Sequence, residues 1–75
     1  MKVQNSVVSV FKTSVTHTRL SEKIRKEIML FNNVLTCNFD LEDCDKILRI
    51  RSETAISEKV IAHLNNKGLI CEELT

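Results

Sequence analysis

The sequence predicts a single two-layer α+β domain with elements in the order β-α-β-β-α-β. Three observations lead to this prediction. The chain has 75 residues, which is enough for one small core. Four short segments are rich in β-branched or alternating apolar residues, and two longer ones repeat apolar residues every third or fourth position. Each helix-like segment lies between strand-like ones, as in two βαβ crossovers on one sheet.

The first strand is predicted over residues 7–15, where β-branched side chains dominate. Its apolar side chains divide between two faces, with Val8 and Val10 on one and Phe11 and Val15 on the other. That division leaves room for a bulge or a shift near Lys12.

The first helix is predicted over residues 18–31. One apolar stripe runs along it, formed by Leu20, Ile24, Ile28 and Phe31. The candidate N-caps are Thr16, Thr18 and Ser21. The helix should end at Asn32 and Asn33, since asparagine tolerates the left-handed conformation.

Two strands are predicted in the middle of the chain, over residues 34–41 and 46–51. In the first, alternate residues are apolar and predict one buried face, formed by Leu35, Cys37, Phe39 and Leu41. An acidic turn connects the two strands and holds Asp40, Glu42, Asp43 and Asp45 around Cys44. We expect this turn at the end of the sheet where the first strand starts, about a strand length from the loop before the first helix.

The second helix is predicted over residues 55–67 and the last strand over 69–73. The apolar stripe of this helix consists of Ile56, Val60, Ile61 and Leu64. Ser52 or Thr54 could cap its start, and Lys67 with Gly68 forms a stop signal. Two helices on one face of a four-stranded antiparallel sheet give the ferredoxin-like sandwich, one domain over residues 1–75, with residues 1–6 as a flexible N-terminus.

Composition argues against several classes of function. A net charge of +1 gives no basic footprint for nucleic acid or an anionic membrane, and three Phe are the only aromatic residues. No apolar run approaches the roughly 20 residues of a membrane span, and the first residues are a poor signal peptide. We therefore expect a cytoplasmic protein with free thiols at Cys37, Cys44 and Cys71.

The stretches "NNVLTCNFDLEDCDKILRI" and "ISEKVIAHLNNKGLICEEL" resemble the strand-hairpin-strand and the last helix, glycine stop and final strand of a known family. This is the heavy-metal-associated domain family, which includes the small domains of copper chaperones and metal-transporting ATPases. The resemblance covers roughly residues 8–74 and implies the same ferredoxin-like fold.

The family's metal motif, Met-Thr-Cys-x-x-Cys after the first strand, is degenerate in this chain. The matching stretch is "SVTHTRL", in which Val15 stands for the Met, His17 for the first Cys and Leu20 for the second. Both thiolates that a soft ion such as Cu(I) prefers are therefore missing. The resemblance implies the fold, but it does not carry the metal function over.

Other candidate metal sites are also weak. His17 offers one nitrogen, whereas zinc sites need about three or four protein ligands. The acidic turn has four carboxylates and no glycine, whereas a calcium loop needs about six to eight oxygens. Cys37 and Cys71 should lie on opposite edge strands, and His63 on a helix flank. We expect no cofactor, and the alternatives left open are a His17 site or a weak cation site at the turn.

The leading hypothesis is a small non-enzymatic binding module, because no nucleophile, base and orienting group appear together. Its docking candidates are Arg19, Lys23 and Lys26, which follow one another at helical spacing on the first helix. Such a face could dock a protein partner with an acidic surface, as in the family's contacts between chaperone and target. The alternative is a metal-ion carrier with altered ligands centred on His17.

Overall fold

The fold has the predicted order of elements. The structure, a computed structural model, describes residues 6–74. Its strands are β1 (Val7–Thr13), β2 (Val34–Asp40), β3 (Ile47–Ser52) and β4 (Cys71–Leu74), and its helices are α1 (Thr18–Met29) and α2 (Ser57–Asn65). The strands form one antiparallel sheet in the order β2-β3-β1-β4, which confirms the ferredoxin-like α+β fold. Most of the N-terminal segment predicted to be flexible, residues 1–5, lies outside the described residues.

One apolar core holds both helices on the same face of the sheet. Its fully buried members include Ile24 and Ile28 of α1, Val60 and Leu64 of α2, and Phe11, Leu48 and Ile50 of the central strands. Each buried side chain of this size contributes about 1.5–3 kcal/mol by leaving water. The opposite face of the sheet carries the alternate residues of the same strands, among them Val8, Arg49 and Arg51, which are exposed.

The first strand is regular, and the bulge or shift that the sequence left open near Lys12 does not occur. The ladder between β1 and β3 runs without interruption from Val7 opposite Ser52 to Lys12 opposite Ile47. The strand ends at Thr13, two residues before the predicted end, and Val15 is buried in the segment that follows it. Apolar residues on the two faces need no bulge, because Phe11 is buried on the helix side of the strand whereas Val8 is exposed on the open face.

The irregularity lies instead at the start of β2. The register with β3 shifts between Val34 and Thr36. Because the intervening residue falls out of the alternation, Leu35 is exposed while Val34 packs against the core. The prediction that Leu35 shares the buried face of Cys37 was therefore wrong.

Both helices begin without a side-chain cap, so the predicted N-caps were wrong. The N-cap residues are His17 for α1 and Ile56 for α2, and neither makes a side-chain cap hydrogen bond. Ser21 Oγ donates instead to the Thr18 carbonyl at 2.7 Å, and Ser52 Oγ to that of Thr54 at 2.7 Å.

The stop signal predicted for the second helix is confirmed at Gly68, whereas α1 ends before Asn32 and Asn33, with its C-cap at Leu30. Asn33 after α1 and Gly68 after α2 both have left-handed backbone, with φ of 75° and 78°. Both helices are shorter than predicted and end at Met29 and Asn65. Within residues 6–74, no helix has the length and apolar character needed to cross a membrane.

Candidate functional site

The basic stripe, defined as Arg19, Lys23 and Lys26, lies on the solvent face of α1. All three residues are exposed, and their spacing of four and three residues places them on one side of the helix. Because the apolar stripe of α1 faces the core, the basic stripe faces solvent. The structure thus brings the predicted docking residues together on one surface.

The acidic residues of α1 bond to groups outside the basic stripe. Glu22 pairs with Arg25 at 3.2 Å. Glu27 Oε1 lies 2.8 Å from His63 Nε2 and 3.0 Å from Lys67 Nζ, both on the side of α2. Within residues 6–74, no carboxylate lies within salt-bridge distance of the stripe. Glu22 and Glu27 lie next to the stripe in the sequence, but both of them bond to side chains outside it.

A shallow, mainly apolar hollow of about 480 Å³ adjoins the start of the stripe. It is lined by His17, Arg19, Leu20 and Lys23. The side chain of Leu20 is half-buried and packs against the core. The hollow therefore combines an apolar floor with two cationic walls, a combination that suits an anionic group carried on an apolar stem.

His17 lies at the N-cap of α1, where its backbone is extended and its carbonyl accepts the first helical hydrogen bond, from Ser21 at 2.9 Å. The imidazole is exposed. Among residues 6–74, it belongs to no group of three metal-ligating side chains. The structure thus gives His17 an accessible ring, and among the described residues it belongs to no three-ligand site.

The acidic turn is held by hydrogen bonds between its own aspartate side chains and its backbone amides. Asp40 Oδ1 accepts the Glu42 N–H at 3.2 Å, and Asp43 Oδ1 accepts the Asp45 N–H at 2.8 Å. These are two Asx turns, which account for aspartate at both positions. Possible ligand atoms of Asp43, Cys44 and Asp45 lie within 4.8 Å of one another. The turn structure explains this cluster without a cation.

The acidic turn lies at the C-terminal end of β1, which corrects an expectation of distance. From the sequence we expected it near the start of β1, about a strand length from the loop that precedes α1. Instead Thr13 N–H donates to the Asp45 carbonyl at 3.1 Å, and Thr13 Oγ1 donates to that of Lys46 at 2.6 Å. The expectation failed because β3 is antiparallel to β1, so β3 begins where β1 ends.

The three thiols differ in exposure. Cys37 and Cys71 are 3% and 6% exposed and lie on the two opposite edge strands, as predicted, whereas Cys44 is exposed. Burial raises the pKa of Cys37 to about 11, although Arg25 acts in the opposite direction. Burial, with a smaller contribution from Glu73, also raises the pKa of Cys71 to about 11. Neither buried thiol is suited to nucleophilic chemistry.

A polar cluster that joins the two helices was missed by sequence reasoning. His63 and Lys67 follow one another at i, i+4 on the α2 side, and both bond to Glu27 of α1. The hydrogen bond from His63, and then that from Lys67, hold the pKa of Glu27 below its usual range. Phe31 contacts the His63 ring edge to face, at 5.4 Å between centroids. The only available signal was the spacing of His63 and Lys67, which does not identify Glu27 as their partner.

Comparison with known proteins returned no match: no family model fits the sequence, and no curated protein or solved structure is significantly similar to it. The likeness to the heavy-metal-associated family therefore rests on the residues quoted above. Any assignment of function has to come from the geometry of this chain.

Proposed function

We propose that this domain is a small non-enzymatic binding module that docks a protein with an acidic surface through the basic stripe of α1. In this proposal the chain has a heavy-metal-associated-like fold that has lost the usual metal thiols. The module works in the cytoplasm, where its three free thiols stay reduced. Its contacts are with a protein, and neither nucleic acid nor a membrane takes part.

The observation that carries this proposal is the position of Arg19. It lies in the first turn of α1, a turn that contains no acidic residue. A cation there opposes the helix macrodipole, at a cost of roughly 0.3–1 kcal/mol. The helix also lacks a side-chain cap. A cation at an uncapped helix start therefore does not stabilise the helix. An acidic partner, by contrast, would be attracted both by the cations and by the positive end of the helix dipole.

The apolar hollow supports the same reading. Interfaces combine a buried apolar centre with a polar rim, and in this hollow Leu20 is the apolar residue beside Arg19 and Lys23. For an enzyme the geometry is less favourable. His63 is oriented by Glu27, but within residues 6–74 no hydroxyl or thiol bonds to its ring.

The test compares two triple charge reversals of equal net charge. One variant carries Arg19→Glu, Lys23→Glu and Lys26→Glu; the control carries Lys12→Glu, Arg49→Glu and Arg51→Glu on the open face of the sheet. Each protein is titrated with an acidic polyglutamate peptide by NMR and is used for capture from native lysate. We expect the stripe variant to bind at least about tenfold more weakly and the control to retain binding.

The stripe reversal should also leave the fold intact, because glutamate at position 19 suits the helix dipole better than arginine does. Thermal melting of both variants checks this. Equal loss of binding in the two variants would show a response to net charge alone, and the docking surface proposed here would be wrong.

The second candidate function is a metal-ion carrier centred on His17. The observation in its favour is that the acidic turn, with Cys44, lies at the same end of the sheet as the loop that carries His17. A thiolate and an imidazole could together hold a soft ion. We expect the purified protein to lose Cu(I) to a chelator of about picomolar affinity. Stoichiometric, chelator-resistant Cu(I) that is lost in both His17→Ala and Cys44→Ser would establish the carrier instead.

A further inference from the structure

A second candidate surface lies around the first turn of α2, at the end of the sheet opposite the start of α1. An open cavity of about 750 Å³ is lined there by this turn, by the start of β1 and by the turn that follows α1. Its volume falls in the range of about 300–1,000 Å³ that small-molecule sites occupy. None of its lining residues belongs to the basic stripe, so it is independent of the proposed docking surface.

The start of α2 presents unused hydrogen-bond donors to this cavity. The first helical hydrogen bond runs from the Val60 N–H to the Ile56 carbonyl, at 3.0 Å. The amides of Ser57, Glu58 and Lys59 precede that bond, and no side chain caps them among the described residues. All three residues line the cavity. An uncapped helix start of this kind attracts a carboxylate or another anion.

Ser9 supplies the second observation. Its side chain points from β1 toward the helices, since Ser9 pairs with the buried Ile50 and alternates with Val8 and Val10 on the other face. The residue is 1% exposed and lines the cavity, and its hydroxyl has no hydrogen-bond partner among the described residues. A buried hydroxyl without a partner is costly, and buried polar groups normally have one. A ligand in the cavity would provide that partner.

The charges around the cavity decide which ligand it suits. Glu58 and Glu73 both line it, and within residues 6–74 neither forms an ion pair. Glu73 projects to the helix side because it pairs with the buried Phe11. Lys59 is a cation that also lines the cavity, and its Nζ lies over the Phe31 ring, 5.7 Å from the ring centroid. Two free carboxylates disfavour a dianion such as phosphate and favour a ligand that also carries an ammonium group.

We infer that this cavity binds a small zwitterion, a free amino acid, whose carboxylate accepts from the first amides of α2 and whose ammonium faces Glu58 and Glu73. The Ser9 hydroxyl completes the polar contacts at the base of the cavity. Val7, Ala55 and Ile56 line the remaining apolar part, which favours a short aliphatic side chain.

The experiment is an NMR titration of the ¹⁵N-labelled protein with the individual amino acids, glycine, alanine and valine first. Binding should shift the amide signals of Ser57, Glu58 and Lys59 in a saturable way. The methyl ester of the best ligand lacks the carboxylate, and its N-acetyl form lacks the ammonium group. We expect each to bind about tenfold more weakly or worse, and inorganic phosphate not to bind.

Matched variants distinguish the site from a general charge effect. Glu73→Gln should weaken binding about tenfold, whereas Glu72→Gln, its neighbour on the open face of the same strand, should leave binding unchanged. Ser9→Ala should weaken it about threefold to tenfold while the protein remains folded by circular dichroism. If none of the amino acids shifts these amides, the cavity holds only water. If the single-charge analogues bind as well as the amino acid, or if Glu72→Gln acts like Glu73→Gln, the zwitterion assignment is wrong.

Discussion

The reactivity of the three thiols gives a direct test of the fold and of the strand register. Under native conditions, iodoacetamide should modify Cys44 first, Cys71 next and Cys37 last. Cys44 is exposed in the acidic turn, whereas Cys71 and Cys37 are buried on the helix side of the two edge strands. The expected differences can be estimated from ionisation and from burial separately.

Ionisation contributes a modest factor. A thiol with a pKa of about 11 is ionised to about one part in a thousand at about pH 8, against about one in ten for the ordinary value of 9.0. A more basic thiolate is also more nucleophilic, with a Brønsted coefficient of about 0.4–0.5, which recovers close to a factor of ten. The net slowing from ionisation is therefore only about tenfold.

Burial contributes the larger factor. Cys37 is 3% exposed and packs in the core, so the reagent reaches it only when the sheet opens. If opening β2 costs about 5 kcal/mol, near the lower end of small-domain stability, the accessible population falls about 10³- to 10⁴-fold. Exposing Cys71 requires opening only β4, a four-residue strand at the edge of the sheet. That opening should cost less free energy than the opening of β2.

The measurement is pulsed alkylation followed by mass spectrometry of the peptides, with concentrated guanidinium chloride as the control in which the three rates converge. Cys44→Ser removes the fast phase and allows the two slow ones to be timed. If Cys37 reacted as fast as Cys44 in the folded protein, the register of β2 would be inverted, because a slip of one residue exchanges the two faces of a strand.

Two further predictions concern stability. Because the pKa of Glu27 is lowered in the folded state, its carboxylate stabilises the fold above the ordinary value of 4.5, and this contribution disappears as pH falls through the lowered pKa. Urea unfolding at a series of acidic pH values should therefore show a shallower loss of stability for Glu27→Gln than for Glu22→Gln, and equal slopes would contradict the bridge to His63. Gly68→Ala should lower the free energy of unfolding by about 1–2 kcal/mol. The cost comes from the positive φ alone, because an added Cβ meets nothing within 4 Å. An unchanged midpoint of unfolding in urea would contradict this prediction and show that the turn relaxes.

The fold could be predicted from the sequence because each element carries its own local signal. The alternation in β2 and the apolar stripe of α1 depend only on neighbours a few residues away. The errors arose where a local pattern is ambiguous. Leu35 continues an apolar alternation that the structure interrupts with one extra residue, and the sequence holds no marker for that interruption.

The candidate sites were less predictable because they depend on contacts distant in the chain. The basic stripe is local to α1 and could be recognised from the sequence. That Glu22 and Glu27 do not pair with it depends on the partners their side chains meet in the fold. The position of Cys44 beside the end of β1 depends on the antiparallel pairing with β3. The cavity at α2 joins Ser9 to Glu73 across the fold, and no sequence pattern relates two residues so far apart.

The arrangement of charge around α1 also restricts how a partner can approach. Arg25 and Glu22 line a cleft between α1 and the end of β2, whose other wall includes Asp40 and Glu42. The basic stripe lies on a different side of the same helix, so cationic and acidic surfaces adjoin at one end of the domain. In the proposed complex, the stripe would attract an acidic partner and the acidic turn would repel it, which restricts the orientation of the partner. If docking through the stripe is correct, neutralising Asp40 and Glu42 should leave affinity nearly unchanged but relax the orientation of the complex, a result that paramagnetic labels on the partner can measure.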